Sequence, residues 1–188
     1  MAPTPTRDAV LDAALQLLAE DGPGGVTIAR ITGLSGVSNG SIYHHFGSRE
    51  GVLLALLVDC FADLVATLAQ ALDDRPAREC IRDLVARHLA WVREHPGKAA
   101  VLYRVPLDAT VLSGTADSQR AVHTKDLAAA PLVRWMRARQ TAGELRSVPD
   151  WALDPIVLAP VHEAARRGLL SAEAEEQVAA MVWAGLEA

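Results

Sequence analysis

Residues 27–50 constrain the fold of this chain more than any other stretch. Thr27 can cap the start of a short helix, which Gly33 and Gly36 then break after about two turns. Ser38 can cap a second helix, which Gly47 ends. Two helices this short, joined by a tight turn, cannot bury a core alone. The stretch therefore predicts a helix-turn-helix that other helices must support.

The second of these helices has an apolar and a polar face. Val37, Ile42 and Phe46 are spaced by four or five residues and can form the buried anchor. Small or hydrogen-bonding residues are left to face outward: Asn39, Gly40, Ser41, Tyr43, His44 and His45. Small residues allow close approach of the backbone, asparagine pairs with adenine edges, and hydroxyls reach phosphate oxygens. The outward face is suited to the major groove of DNA.

The run of residues 31–50 resembles the signature of TetR-family transcriptional regulators, roughly I-A-x-x-A-G-V-S-x-G-(T/S)-(L/I)-Y-x-H-F-x-(S/N)-K-E. This chain reads ITGLSGVSNGSIYHHFGSRE over the same positions. It departs from the pattern at Thr32 and Ser35, where alanine is usual, and at Gly33. Arg49 stands where the family usually has lysine, and an arginine can still hold a phosphate.

We assign the exposed residues of the motif to two roles on DNA. The candidates for base readout are Ser38, Asn39, Gly40 and His44. The candidates for phosphate contact are Thr27, Ser41, Tyr43 and Arg49. His45 and Phe46 are expected to be structural, with Phe46 in the core of the head.

The charge of the head weighs against DNA binding. Residues 1–50 carry three arginines and five acidic residues, a net charge of −2 within a chain of net charge −5. The acids fall mostly on the first helix and its exit, whereas Tyr43, His44 and Arg49 belong to the proposed groove face. We therefore expect DNA binding with only a modest salt dependence.

The rest of the chain favours an all-α fold. Alanine and leucine dominate the 188 residues, aromatics make up 4%, and few β-branched runs alternate with the period of a strand. The first helix should end at the breaker DGPGG, residues 21–25. Pro131 can kink or split a later helix, and Ser113-Gly114 is typical of a loop tip.

Residues 52–72 are apolar enough to require a membrane test. A polar stripe recurs there every three or four residues: Asp59, Asp63, Thr67 and Gln70. Each aspartate near a bilayer centre would cost about 2.5 to 3.5 kcal/mol. The segment therefore predicts a long amphipathic helix of a soluble protein, without a membrane partner.

No motif predicts an enzyme. The chain has no GxSxG, no phosphate loop and no HExxH, and Cys60 and Cys80 form no metal or redox motif. His44 and His45 are adjacent and so lie on different faces of a helix, which disfavours a shared metal. We expect no catalytic residues, no metal and no cofactor. With no signal peptide before the first helix, a cytoplasmic protein is the simplest interpretation.

The last helix predicts an assembly. Residues 178–186, VAAMVWAGL, are apolar all round, so packing on one side cannot account for them. In TetR-like proteins the last two long helices form a four-helix dimer interface, and the resemblance implies a homodimer through the last two helices here. Pro160 is expected to disturb the first of the pair.

The resemblance also implies an effector cavity in the second domain. Pockets between bundle helices are common, and our candidates for lining one are Trp91, Tyr103 and Trp135. Lone aromatic residues in a helical bundle are more often packing residues, so both interpretations stay open.

These observations predict an all-α protein with an N-terminal three-helix helix-turn-helix head, residues 1–50. A long helix joins it to a C-terminal helical ligand-binding and dimerisation domain, residues 51–188. The implied function is a ligand-responsive, sequence-specific DNA-binding regulator, chiefly a repressor released by an unknown small-molecule effector. Its dimer would read a pseudo-palindromic operator in double-stranded DNA. The alternative is a helical ligand-binding or interaction protein whose acidic head is not used on DNA.

Overall fold

The computed structural model describes residues 5–104 and 116–188. Within these ranges the backbone is helical, with one isolated bridge between Leu145 and Glu187, which confirms the all-α prediction. Ser113-Gly114 lies outside the described residues. The helices are α1 (Pro5–Gly25), α2 (Ile28–Ser35), α3 (Asn39–Phe46), α4 (Arg49–Ala69), α5 (Ala77–Glu94), α6 (Pro96–Arg104), α7 (Ala116–Thr141), α8 (Asp150–Leu153), α9 (Ala159–Arg166) and α10 (Ala172–Leu186).

The chain forms two compact units. The first runs to Phe61 and resumes from Pro96 to Lys125, so it combines the predicted head with α6 and the start of α7. The second consists of Ala62–His95 and Asp126–Ala188. The division falls inside α4 and inside α7, both of which are continuous helices. Pro131 therefore does not split α7.

The first unit is built around α1, which packs on α2 and on α6. Its core joins apolar residues of the first four helices, including Leu17, Ile31, Ile42, Phe46 and Val52. Gly22 adopts φ 68° and ψ −170°, a backbone conformation that favours glycine, so the helical path of α1 breaks at the predicted position.

The long helix α4 uses its predicted polar stripe for protein contacts. In the first unit Asp59 accepts a hydrogen bond from Arg7 at 3.2 Å. In the second unit Asp63 accepts one from the indole N–H of Trp91 at 2.9 Å. By length and composition α4 alone among the described helices could cross a membrane, and half of its most apolar stretch is buried in the protein. Burial of this kind is typical of a core helix.

The second unit is organised by the packing of α10 along α5. Val178, Val182 and Leu186 of α10 are buried on this side. The guanidinium of Arg93 fastens the facing ends of the two helices: it donates to the Leu170 carbonyl at 3.1 Å and pairs with Glu175 at 3.7 Å. Because Val182 is completely buried within its own protomer, its side chain serves the core of this unit.

The predicted disturbance at Pro160 takes the form of one widened turn. Residues Asp154–Leu158 form a π-helical turn between α8 and α9, and the Ala159 N–H donates to the Asp154 carbonyl five residues back. Proline has no N–H and its ring clashes with the carbonyl four residues earlier. The wider turn accommodates Pro160 without ending the helical path, so the first helix of the final pair consists of α8, the π turn and α9 in succession.

One prediction concerns His88, which is completely buried. Burial, together with the neighbouring imidazole of His162, lowers the pKa of His88 to about 3. An unfolded histidine titrates near about 6.5. As pH falls from about 6.5 toward 3, His88 binds a proton in the unfolded chain but stays neutral in the folded chain. The free energy of unfolding should therefore fall by up to about 1.4 kcal/mol per pH unit from this group.

Urea denaturation between pH 7 and pH 4 measures this effect. His88→Leu should have a shallower dependence of the unfolding free energy on pH than the wild type. His123→Leu, which removes an exposed imidazole, should retain the wild-type slope. Equal slopes for wild type and His88→Leu would contradict the neutral, buried state of His88.

Candidate nucleic-acid interface

The two short helices of residues 27–50 begin at side-chain caps. The Thr27 hydroxyl accepts a hydrogen bond from the Arg30 N–H at 3.3 Å and starts α2. The Ser38 hydroxyl accepts one from the Ser41 N–H at 3.2 Å and starts α3. Each cap satisfies a backbone donor that the first helical turn leaves without a partner. Both hydroxyls keep their own proton, which can be donated outward.

Two glycines with positive φ end these helices, whereas Gly33 lies inside α2 and does not break it as expected. Gly36 has φ 69° and donates its N–H to the Thr32 carbonyl at 3.0 Å, which closes α2 and turns the chain. Gly47 has φ 73° and donates to the Tyr43 carbonyl at 2.9 Å, which closes α3. A side chain at either position would be strained, so the glycines fix the length of both helices.

The α3 helix has the two faces that its sequence predicts. Ile42 and Phe46 are buried in the core of the first unit, and Val37 packs against that core from the preceding turn. The opposite residues, Asn39, Gly40, Tyr43, His44 and His45, are exposed, and Ser41 is half-buried. The structure therefore leaves the candidate residues of α3 accessible to another molecule, with Ser41 partly covered.

Gly40 leaves this surface open at the start of α3. A Cβ atom added there would meet nothing within 4 Å, so packing inside the protein does not require glycine. The absence of a side chain does allow another molecule to approach the first turn of α3. The positive end of the helix dipole and the free backbone N–H groups of that turn lie at the same place.

A hydrogen bond between side chains links the two helices of the motif. The Thr32 hydroxyl of α2 donates to Oδ1 of Asn39, the first residue of α3, at 2.5 Å. Residue types alone do not reveal this contact, because Thr32 stands out in the sequence only as a departure from the family pattern. The signal in the sequence is the threonine at position 32, whose hydroxyl stands where the family signature has the methyl group of alanine.

Gly51 is a second residue whose role the sequence did not reveal. A Cβ atom at this position would lie 1.9 Å from the Phe46 carbonyl oxygen. Only glycine lets the first turn of α4 pass this close to the end of α3. The Ser48 hydroxyl accepts a hydrogen bond from the Gly51 N–H at 3.0 Å and so caps α4 at the same point.

Arg49 is occupied by contacts within the first unit. Its Nε donates to the Val26 carbonyl at 2.5 Å, another nitrogen donates to the Pro23 carbonyl, and a third pairs with Glu50 at 3.1 Å. The guanidinium thus ties the start of α4 to the segment that leads into α2. A hydrogen bond from the backbone N–H of Glu50 to its own carboxylate lowers the pKa of this group, and the guanidinium of Arg49 lowers it further.

The other arginines of the head are also paired with acids. Arg30 pairs with Asp21 at 2.5 Å and donates to the Gly25 carbonyl at 3.1 Å. Arg7 pairs with Asp59 at 3.2 Å. Among the described residues of the motif, the exposed groups on α3 are therefore hydroxyls, an amide, imidazoles and backbone N–H groups, with no arginine or lysine among them.

The three candidate pocket residues have separate surroundings. In the second unit Trp91 is buried, donates to Asp63 and stacks on His95 with ring centroids 5.5 Å apart. Trp135 donates its indole N–H to the Asp73 carbonyl at 3.0 Å. Tyr103 belongs to the first unit, where burial raises the pKa of its phenol.

A cleft of about 950 Å³ lies on the second unit, and its lining is charged. The lining residues are Arg75, Glu79, Arg82, Asp83, Ala86, Ala172, Glu173, Glu175 and Glu176. Neither Trp91 nor Trp135 is among them. Across residues 5–104 and 116–188, no group of three histidine, cysteine or acidic side chains is arranged to hold a metal ion.

Comparison with known sequences identifies the head. Residues 10–56 match the family model of bacterial regulatory proteins of the tetR family. The chain is 43% identical over 54 residues to the HTH-type transcriptional repressor AcnR of Corynebacterium glutamicum, a stretch that covers 29% of each protein. It is 35% identical over 79 residues to the repressor KstR2 of Rhodococcus jostii, covering 40% of this chain and 39% of that protein. The matched stretch thus spans well under half the length of these relatives.

Comparison with solved structures extends the likeness to nearly the whole fold. A putative tetR family transcription regulator from Shewanella superposes with a TM-score of 0.76 at 22% identity, over 97% of this chain and 98% of that one. The regulator FadR from Bacillus subtilis, solved in complex with stearoyl-CoA, superposes with a TM-score of 0.69 at 16% identity, over 93% and 96%. Residues 10–56 thus match the tetR family in sequence, and the chain is similar in fold to solved regulators over nearly its whole length.

Proposed function

We propose that this protein is a ligand-responsive, sequence-specific DNA-binding transcriptional regulator that acts as a repressor and is released by a small-molecule effector. The observation that carries the proposal is the exposed face of α3. Its helix is capped by Ser38, anchored by Ile42 and Phe46, and lined with groups that hydrogen-bond to bases and phosphates. The proposal places the protein in the cytoplasm and gives it no enzymatic activity.

The roles on DNA follow from position along the motif. Ser38, Asn39 and Gly40 at the start of α3, with His44 one turn further, are assigned to base edges in the major groove. Thr27, Ser41 and Tyr43 are assigned to phosphate oxygens. Tyr43 supports this role with a side chain that is about half exposed, at 52%. Arg49 adds its charge near the backbone of the DNA while it holds the segment that presents Thr27.

We assign the dimer interface to the last two helices, α9 and α10. Support comes from the side of α10 opposite its buried face, where Ala180, Met181 and Ala184 recur at helical spacing. Met181 is 63% exposed and adds a large apolar side chain to this surface. Small neighbours would let two copies of α10 approach closely. Two heads then read a pseudo-palindrome whose half-sites are about 34 Å or a multiple apart.

The effector would bind in the helical second domain and act through different affinities for two states of the protein. FadR, which shares the fold, was solved with stearoyl-CoA, and this supports small-molecule binding as a property of the fold. We keep Trp91 and Trp135 of the second unit as candidates near such a site, and Tyr103 of the first unit as a separate candidate. Trp91 and Trp135 already have protein partners for their indole N–H groups, so each would contribute an aromatic face.

The second candidate function is a helical ligand-binding or interaction protein whose head is not used on DNA. This second function is favoured by the pairing of Arg7 and Arg30 with acidic side chains, because their guanidinium groups are engaged within the protein and not directed to DNA phosphates. Fluorescence anisotropy with duplex DNA from the protein's own upstream region separates the two functions. A regulator should prefer this duplex over a random one of equal length, and equal binding at low salt would reject the regulator.

The same titration predicts a shallow salt dependence. Because few cationic groups of the head are available, the logarithm of the binding constant should fall with the logarithm of salt concentration at a slope no steeper than about −4 per dimer. That slope corresponds to about two charged contacts per head. A slope near −8 would mean that the ion pairs of the head open on DNA.

Tyr43 and His44 should differ in what they read. Tyr43→Phe removes only the phenolic hydroxyl and should weaken every duplex by about 0.5 to 1.5 kcal/mol, without changing base preference. His44→Ala should change the preference at one operator position by about 1 to 3 kcal/mol. A panel of single-base operator variants measures both, and the reverse pattern would show that the two roles are exchanged.

Met181→Glu should give monomers in sedimentation velocity, because it places a charge in the proposed contact between two copies of α10. Ala138→Glu is the matched control, since it adds the same charge at an exposed helical position of α7. Val182 is unsuited to this test because it is completely buried and its substitution would destabilise the protomer. A Met181→Glu protein that stays dimeric would contradict the assigned interface.

A further inference from the structure

The hydrogen bond between Thr32 and Asn39 joins the two helices of the DNA-binding motif at the first residue of α3. The Thr32 hydroxyl and Oδ1 of Asn39 are 2.5 Å apart. Oδ1 carries no proton, so the hydroxyl is the donor. Thr32 is half-buried and Asn39 is exposed. The bond therefore runs from the packed side of α2 to the open surface of α3.

This bond fixes what the carboxamide can offer to another molecule. The group is planar, with one acceptor oxygen and an amino group that carries two donors. When the oxygen is held by Thr32, the amino group lies in the same plane on the other branch of the carboxamide and is not used by this bond. Among the described residues, Nδ2 of Asn39 has no hydrogen-bond partner. Asn39 thus presents two N–H donors at the start of α3.

We propose that Thr32 is a specificity-determining positioning residue, which holds Asn39 so that it reads a base acceptor as a donor only. The proposal rests on the proposed function, because it concerns the same α3 surface on DNA. Asparagine that reads adenine needs both its donor, for N7, and its acceptor, for the N6 amino group. The bond from Thr32 takes one lone pair of the oxygen and fixes the direction in which the oxygen points, so it competes with that bidentate pairing.

Guanine is the purine that suits the arrangement. Its major-groove edge carries two neighbouring acceptors, N7 and O6. Adenine would place its N6 amino group, a donor, against the amide donors of Asn39. The operator position read by Asn39 should therefore prefer guanine over adenine, which is the opposite of the preference expected from asparagine alone.

Two variants isolate the hydroxyl. Thr32→Val keeps the branched shape and the packing of the side chain but cannot donate, whereas Thr32→Ser keeps the donor. The position that Asn39 reads is found first, as the one at which Asn39→Ala changes base preference in a panel of operator variants. The ratio of the guanine and adenine binding constants at this position is then measured for every protein.

Wild type and Thr32→Ser should prefer guanine by at least about fivefold, the lower end of the range for one good base contact. Thr32→Val should reduce the ratio to about one or reverse it, with preferences at the other positions unchanged. A purely structural role for Thr32 would weaken all duplexes and leave the ratio intact. An unchanged ratio in Thr32→Val, or a wild-type preference for adenine, would overturn the proposal.

A measurement without DNA separates this proposal from the proposed function. The side-chain ¹⁵N order parameter of Asn39 in the free protein should be higher in wild type and Thr32→Ser than in Thr32→Val, with the backbone values of α3 equal. Equal side-chain values would overturn the positioning role even if the protein reads its operator. A rigid Asn39 in a protein without any sequence preference would instead overturn the proposed function, and the donor reading with it.

Discussion

The surface of α3 depends on the anchoring of Ile42 and Phe46 in the core of the first unit. A helix of eight residues is too short to persist in water, so its backbone is ordered by what it packs against. The anchor residues are four apart and therefore lie on the same side of the helix. All remaining side chains are turned outward as a consequence, and the caps at Ser38 and Gly47 set where that outward surface begins and ends.

The arginines of the head are used in contacts within the protein, and this determines which charges remain near α3. Its arginines hold loops and helices together: Arg49 joins α4 to the entrance of α2, and Arg30 joins α2 to the end of α1. These contacts are partly exposed and contribute little stability individually, but they orient the segments around the motif. The exposed face of α3 is left with hydroxyl, amide, imidazole and backbone N–H groups, without arginine or lysine. Such a surface favours discrimination through hydrogen bonds over attraction through bulk charge.

Much of the head could be predicted from the sequence, because its signals are local. Thr27 and Ser38 cap helices, and Gly22, Gly36 and Gly47 break them, through contacts within a few residues. The bond from Thr32 to Asn39 could not be predicted, because it depends on how α2 and α3 pack. In the second unit the apolar run of residues 178–186 predicted burial, but only the packing of α10 on α5 distinguishes the buried Val182 from the exposed Met181. Pro160 indicated a disturbance, and the π turn that accommodates it could not be foreseen.

The missing side chain at Gly51 has a consequence for how the head can change. A Cβ atom there would overlap the Phe46 carbonyl, so the junction of α3 and α4 has no room for any other amino acid. The two helices meet backbone to backbone, with no flexible side chain between them to absorb a displacement. A movement of the first turn of α4 is therefore transmitted directly to the carboxyl end of α3. A substitution at residue 51 would therefore change the geometry of the motif without altering a residue that faces outward.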